Sequence, residues 1–170
     1  PQMRTIPVGK SINTSELALP YQQVDELINL HDHFAVANCI CRQKEKLLGR
    51  GCDALDEACL FFGDYADFYV RTGLGRKIEK HEVKEILAKA DKSNLVLRPT
   101  YSKFVSAICC CCGCCCGGLV GLNRLSRPAE VVTSSYIAEF EPENCINCGV
   151  CLDRCRMHSL TEGDSYVTFN

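Results

Sequence analysis

Four cysteines near the end of the chain, Cys145, Cys148, Cys151 and Cys155, have the spacing Cys-x2-Cys-x2-Cys-x3-Cys. Thiolates are ligands for zinc and for iron–sulfur clusters. Three thiolates separated by two residues in one tight loop reach three corners of one four-iron cubane. The fourth either closes that cluster or points toward a second one. The spacing therefore predicts a 4Fe–4S site, with a zinc site or unligated thiols as the alternatives.

The motif and its surroundings, EPENCINCGVCLDRC with a predicted strand on each side, resemble the bacterial-type 4Fe–4S ferredoxins. The resemblance covers residues 136–170. It implies that the four cysteines of the motif are cluster ligands and that Gly149 gives the backbone room beside the inorganic core. Ferredoxins of this type usually have proline after the fourth cysteine, whereas this chain has Arg156.

Seven further cysteines are concentrated within residues 109–116, in the order CCCCGCCC. Cys109, Cys112 and Cys115 repeat the two-residue spacing of the terminal motif, but Leu119 stands where a fourth cysteine would follow. Cys155 could complete such a cluster, and adjacent cysteines could bridge clusters or hold a non-cubane one. The candidate ligands in this run are Cys109, Cys111, Cys112, Cys114, Cys115 and Cys116. Zinc–thiolate binding and inert thiols are the alternatives.

A third group comprises Cys39, Cys41, Cys52 and Cys59, which is the number of thiols that one 4Fe–4S cluster or one structural zinc ion needs. Arg42 directly follows Cys41 and could donate hydrogen bonds toward cluster sulfur. The alternative is a set of ordinary buried cysteines, with Cys59 in the core as part of a helix. The order of the three groups along the chain resembles multi-cluster iron–sulfur proteins of anaerobes, and this resemblance implies multi-cluster electron transfer.

The elements that position these cysteines are predicted from apolar periodicity. Helices are expected over residues 21–30, 56–70 and 80–92. FAVANCIC is predicted to be a buried strand that delivers Cys39 and Cys41 to its end, and LVLRPT and KFVSAI are predicted to pair as a hairpin. The last helix followed by this hairpin loosely resembles part of a winged-helix domain. Short strands are expected over residues 136–140 and 165–169.

These elements predict an α+β fold in three parts. The parts are an extended arm over residues 1–20, a mainly helical cysteine-containing domain over 21–108, and a cysteine-rich loop with a ferredoxin-like 4Fe–4S module over 109–170.

The composition limits the class of protein. Of 170 residues 15 are cysteine, 46% are hydrophobic and 24% are charged, which excludes a disordered chain. A disulfide scaffold is disfavoured because adjacent Cα atoms lie about 3.8 Å apart, closer than a relaxed disulfide needs. The uncharged run over residues 104–122 is long enough for a membrane span. Its richness in cysteine and glycine favours a ligand-bearing loop instead. No signal-peptide pattern is visible, so a cytoplasmic location is expected.

The leading expectation is a non-catalytic electron-transfer protein or subunit that relays single electrons through two or three 4Fe–4S clusters to a larger partner oxidoreductase. Charge is segregated, with −6 over residues 11–70 and +5 over 71–103, which suits docking to such a partner. The net charge of −2 makes nucleic acid an unexpected partner. One alternative is a disulfide reductase-like enzyme that uses a Cys-Cys-Gly cluster. The other is an iron–sulfur transcription regulator, based on the winged-helix-like segment.

Overall fold

The computed structural model describes residues 24–102, 104–132, 139–164 and 167–169. The predicted arm over residues 1–20 lies outside these ranges. The helices are α1 (Val24–Asn29), α2 (Ile40–Leu47), α3 (Asp64–Arg71), α4 (Lys80–Lys92), α5 (Gly117–Leu122) and α6 (Val150–Arg154). The strands are β1 (Phe34–Asn38), β2 (Glu57–Phe62), β3 (Arg76–Ile78), β4 (Val96–Pro99), β5 (Ala107–Cys111), β6 (Leu160–Thr161) and β7 (Thr168–Phe169).

Five of the strands form one sheet in the order β3-β1-β2-β5-β4, and every neighbouring pair in it is antiparallel. The short strands β6 and β7 pair with each other in a separate ribbon near the end of the chain. The mixture of helix and sheet confirms the predicted α+β class.

The larger hydrophobic core includes buried residues of β1, β2 and β5, the three central strands, and of helices α1 and α4. Residues 34–37 of β1 are all buried, so both faces of this strand are covered. Helix α3 packs against β1, β2 and β3, and α4 packs against β2. The apolar stripe of α4, formed by Val83, Ile86, Leu87 and Ala90, is buried, as its periodicity predicts.

The helix predicted over residues 56–70 is wrong in its first half and confirmed in its second half. Residues 56–70 form strand β2 followed by helix α3, and Gly63 between them has a φ of 57°, which favours glycine. The run ACLFF contains both apolar and aromatic residues, and pairing with β1 and β5 settles it as a strand. Cys59 therefore lies on a strand, and the predicted helical position of Cys59 is wrong as well.

The antiparallel pairing of β4 with β5 confirms the predicted hairpin, but β5 begins at Ala107, so residues 104–106 of the predicted second strand lie outside it. Strand β5 also pairs with β2, so the hairpin forms one edge of the five-stranded sheet. It extends to Cys111, and the prediction of a loop from residue 109 is therefore wrong for its first three residues. The strand expected over residues 136–140 lies mostly outside the described residues, and Thr168–Phe169 confirms a strand at the chain end.

Candidate metal centres

A cavity of about 360 Å³ lies where α2 and α5 begin beside the sheet. Seven cysteines and one arginine contribute most of its lining: Cys39, Cys41, Cys59, Cys109, Cys111, Cys112, Cys116 and Arg98. These cysteines come from two groups that are about fifty residues or more apart in sequence. The fold thus brings the N-terminal and the middle cysteines together.

Strand register explains which cysteines face the cavity. Cys59 of β2 lies opposite Cys109 of β5, and Cys109 lies opposite Arg98 of β4. Because side chains alternate between the faces of a strand, Cys109 and Cys111 share one face and Cys110 points to the other. Cys110 is buried in the core, and burial raises the pKa of its thiol to about 12. This register therefore separates candidate ligands from a structural cysteine.

Two of the cavity cysteines lie at helix starts. Cys39 is the N-cap of α2 and Cys116 is the N-cap of α5. A hydrogen bond from the Cys59 thiol lowers the pKa of Cys39 to about 6, against the effect of burial and with help from the Arg42 backbone N–H. A hydrogen bond from the Cys111 thiol similarly lowers the pKa of Cys116 to about 5, and the N–H groups of α5 contribute.

The thiols of the cavity shift one another's pKa values. Cys109 accepts from the thiols of Cys111 and Cys59, which lowers its pKa to about 3. The pKa values of Cys59 and Cys111 rise in turn, because each thiol donates its proton to thiolate neighbours. A thiol with a lowered pKa, such as Cys109, loses its proton to a metal more readily than an ordinary cysteine does.

A second group consists of Cys52, Cys112, Cys114 and Cys115, whose four sulfur atoms all lie within 4.8 Å of one another. The Sγ atom of Cys52 is 3.7 Å from those of Cys112 and Cys115, and the Sγ atoms of Cys114 and Cys115 are 3.8 Å apart. Cys112 and Cys115 are buried, Cys52 is half-buried and Cys114 is exposed. Among the described residues, no other group of three or more potential metal ligands has all of its ligand atoms within 4.8 Å of one another.

Arg42 lies between the two groups and is fully buried. Its guanidinium donates to the backbone oxygen of Cys110 at 2.7 Å and to that of Leu55. It therefore ties the segment that carries Cys52 to the end of β5. Burial lowers the pKa of this guanidinium, but the negative charges of Cys39, Cys112 and Cys52 outweigh that effect and raise it. Arg42 thus supports the cysteine groups through hydrogen bonds to backbone oxygens and through its positive charge.

The terminal motif is the most open of the cysteine groups. Cys148 and Cys151 are exposed, and Cys145 and Cys155 are half-buried. Asn147 and Gly149 have φ values of 52° and 74°, so the backbone turns sharply between the cysteines. Burial alone would raise the pKa of the Cys155 thiol, but hydrogen bonds from the Ser159 side chain and from nearby backbone N–H groups lower it.

The arginine that replaces the expected proline attaches this motif to the rest of the protein. Arg156 donates from Nε to the backbone oxygen of Asn94 and from Nη2 to that of Ser93, both at 2.8 Å. These are carbonyls just beyond α4, where a cation is favourable. The backbone oxygen of Arg156 accepts from Asn123 Nδ2 at 3.1 Å. The motif is therefore held against both α4 and the segment after α5.

The sulfur positions divide the cysteines differently from their order in sequence. The N-terminal group is split, because Cys52 joins the compact group whereas Cys39, Cys41 and Cys59 line the cavity. Of the regularly spaced middle cysteines, Cys109 lines the cavity and Cys115 belongs to the compact group. Sequence reasoning missed Arg98, whose Nη1 atom lies 3.8 Å from Cys116 Sγ. Only the register of β4 with β5 identifies it.

Comparison with protein-family models, with curated proteins and with solved structures found no match to this chain. No helix in the ranges described here combines the length and the apolar character that a membrane crossing needs.

Proposed function

We propose that this protein transfers single electrons through iron–sulfur clusters. The observation that supports this most is the cavity of about 360 Å³ with seven cysteines in its lining. A single zinc ion needs four tetrahedral ligands and almost no cavity. A four-iron cluster needs both space and four thiolates, and it supplies one-electron redox chemistry at a potential that the protein tunes.

The cavity residues provide three features that favour an anionic cluster. Cys39 and Cys116 are at the N-cap positions of α2 and α5, where the free backbone N–H groups of a helix start favour negative charge. Arg98 reaches the cavity from β4, and its Nη1 atom lies near Cys116 Sγ. Five of the seven cavity cysteines are buried, which would limit the access of water to a bound cluster: Cys39, Cys59, Cys111, Cys112 and Cys116.

The terminal motif provides a second cluster site in this proposal, and its surface suits contact with a redox partner. Cys148 and Cys151 are exposed, and Ile146 and Val150 beside them are 84% and 64% exposed. Apolar side chains around an exposed cluster let a partner approach closely without removing many charges from water. The partner proposed is a larger oxidoreductase.

The test is iron and acid-labile sulfide per chain in anaerobically purified protein, with zinc measured alongside. Cys39→Ser with Cys109→Ser should remove about four irons and four sulfides from the cavity, and Cys145→Ser with Cys148→Ser about four of each from the motif. Cys110→Ala is the matched control, since Cys110 neighbours Cys109 but faces the core, and it should leave both values unchanged. Reversible bleaching of the cluster absorbance by reduced methyl viologen then measures electron uptake. Zinc without sulfide would contradict the proposal.

Arg98→Met should lower the reduction potential of the cavity cluster. The guanidinium places a positive charge and an N–H donor near Cys116, and both stabilise the reduced, more negative cluster. A loss of about 1 kcal/mol corresponds to roughly 40 mV for a one-electron couple. Anaerobic redox titration followed by electron paramagnetic resonance measures the shift. Arg71→Met, which removes an exposed charge at the end of α3, is the control, and an equal shift in both variants would refute a local effect.

A further inference from the structure

The compact group of Cys52, Cys112, Cys114 and Cys115 has the dimensions of a site for one metal ion. A tetrahedral ion with metal–sulfur bonds of about 2.3 Å places its sulfur atoms roughly 3.8 Å apart. Three of the six Sγ–Sγ pairs match that edge length: Cys52 lies 3.7 Å from both Cys112 and Cys115, and Cys114 lies 3.8 Å from Cys115. The cysteine sulfurs around a cubane stand roughly 6 Å apart, because each lies one bond outside a tetrahedron of irons. All pairs in this group are closer than 4.8 Å.

The backbone holds this arrangement from two directions. Three of the cysteines lie in the turn between β5 and α5, where the Cys116 N–H donates to the Cys112 oxygen at 3.3 Å. Cys52 approaches from the segment between α2 and β2. Gly51 before it packs so closely on α2 that a Cβ there would lie 2.8 Å from Lys46 Cα. The position of Cys52 is therefore fixed by backbone packing as well as by sulfur contacts.

The charge of Arg42 supplies an independent argument. This side chain is 0% exposed, and its Nε atom has no hydrogen-bond partner among the residues that the structure describes. Within those residues no carboxylate forms an ion pair with it either. A buried cation is costly unless an anion lies close. Four thiolates around a divalent ion carry a net charge of −2. Arg42 interacts electrostatically with Cys39 of the cavity and with Cys112 and Cys52 of this group, so two of its three thiol neighbours are proposed ligands of the ion.

We propose that Cys52, Cys112, Cys114 and Cys115 bind a single tetrahedral metal ion, zinc or iron, in a site separate from any iron–sulfur cluster. The ion joins the segment before β2 to the turn after β5, and it fixes Cys112 at the border of the cavity. This site does not depend on the proposed electron transfer, because it requires no sulfide and no redox change.

The test compares total metal with acid-labile sulfide in the full chain, purified without oxygen. In the unmodified protein, the total metal per chain should exceed the acid-labile sulfide by about one ion, and this excess ion should be zinc or iron. Cys114→Ser changes an exposed thiol, so folding is retained, and it should at least halve this excess; Cys52→Ser with Cys114→Ser should abolish it. Iron matched by sulfide should stay constant in both variants. Cys110→Ala should retain the excess ion.

The arms of the experiment distinguish the ions and the two proposals. Excess iron gives a high-spin ferric signal after oxidation, whereas excess zinc is silent and is replaced by cobalt with visible charge-transfer bands; either result supports the site. Metal equal to sulfide in unmodified protein overturns it. A loss of four irons and four sulfides in the Cys52→Ser, Cys114→Ser variant also overturns it, because these cysteines would then hold a cluster. If the protein contains one metal ion per chain and no sulfide, the proposed electron transfer through clusters is refuted and the single-ion site is supported.

Discussion

Replacing Arg42 with methionine should destabilise the protein by about 3–5 kcal/mol, the usual effect of removing one partner from a buried charged network. Methionine fills similar space but donates no hydrogen bond. The backbone oxygens of Leu55 and Cys110 would lose their Arg42 donors in the interior, and the neighbouring thiolates would lose a buried positive charge. We therefore expect loss of structure and loss of metal together, because the same side chain supports the segment of Cys52 and the end of β5.

Urea unfolding followed by circular dichroism under anaerobic conditions measures this effect. At a slope of about 2 kcal/mol per molar urea, the midpoint should fall by roughly 1.5–2.5 M. Arg50→Met is the matched control, since Arg50 is exposed and its side chain bonds to Glu45 at 2.9 Å. Its midpoint should move much less, because the Arg50 guanidinium is largely exposed and Lys44 still pairs with the buried Glu45 carboxylate in the variant. Equal shifts in both variants would show that Arg42 is not a special support.

The elements that local pattern determines were predictable from sequence. Helix α4 has its predicted bounds, because a 3.6-residue apolar stripe over thirteen residues has no strand alternative. Strand β1 and the hairpin of β4 with β5 were predictable for similar reasons. Strand β2 was not, since its short apolar run fits a buried helix and a buried strand equally well. Its pairing with β1 and β5 is a long-range property that sequence periodicity does not contain.

The candidate site was predictable in its residues but not in its grouping. Spacing identified the cysteines as candidate ligands, and every cysteine of the cavity lining was among these candidates. Which sulfur atoms meet depends on the register that places Cys59 opposite Cys109, and on the turn that brings Cys115 to Cys52. A one-residue shift of β5 would turn Cys110 into the cavity and Cys109 into the core. The cysteine groups inferred from sequence order therefore differ from the groups that meet in the fold, which are the cavity lining and the compact group.

Gly113→Ala should be the most damaging single-methyl change in the cysteine-rich turn. A Cβ at Gly113 would lie 2.7 Å from the backbone oxygen of Arg156 and 3.4 Å from its Cβ. The obstacle is backbone that cannot move freely, since Arg156 is anchored to Ser93 and Asn94 and its oxygen accepts from Asn123. Relief of the clash must separate the turn from the terminal segment. We expect a loss of about 1–3 kcal/mol, as for other overpacked sites.

The same displacement should reach the proposed metal ligands, because Gly113 stands between Cys112 and Cys114. Retention of metal during dialysis against a chelator, followed by metal analysis, measures this, and the Gly113→Ala variant should release its sulfide-free ion fastest. Gly117→Ala is the control in the same segment, since no atom lies within 4 Å of a Cβ at that position. There alanine should be neutral or stabilising by up to about 1 kcal/mol, because it favours the start of α5. If both variants kept their metal equally well, the contact between Gly113 and Arg156 would have no role in holding the turn. The terminal motif and the compact cysteine group would then be independent units, and loss of one should leave the other intact.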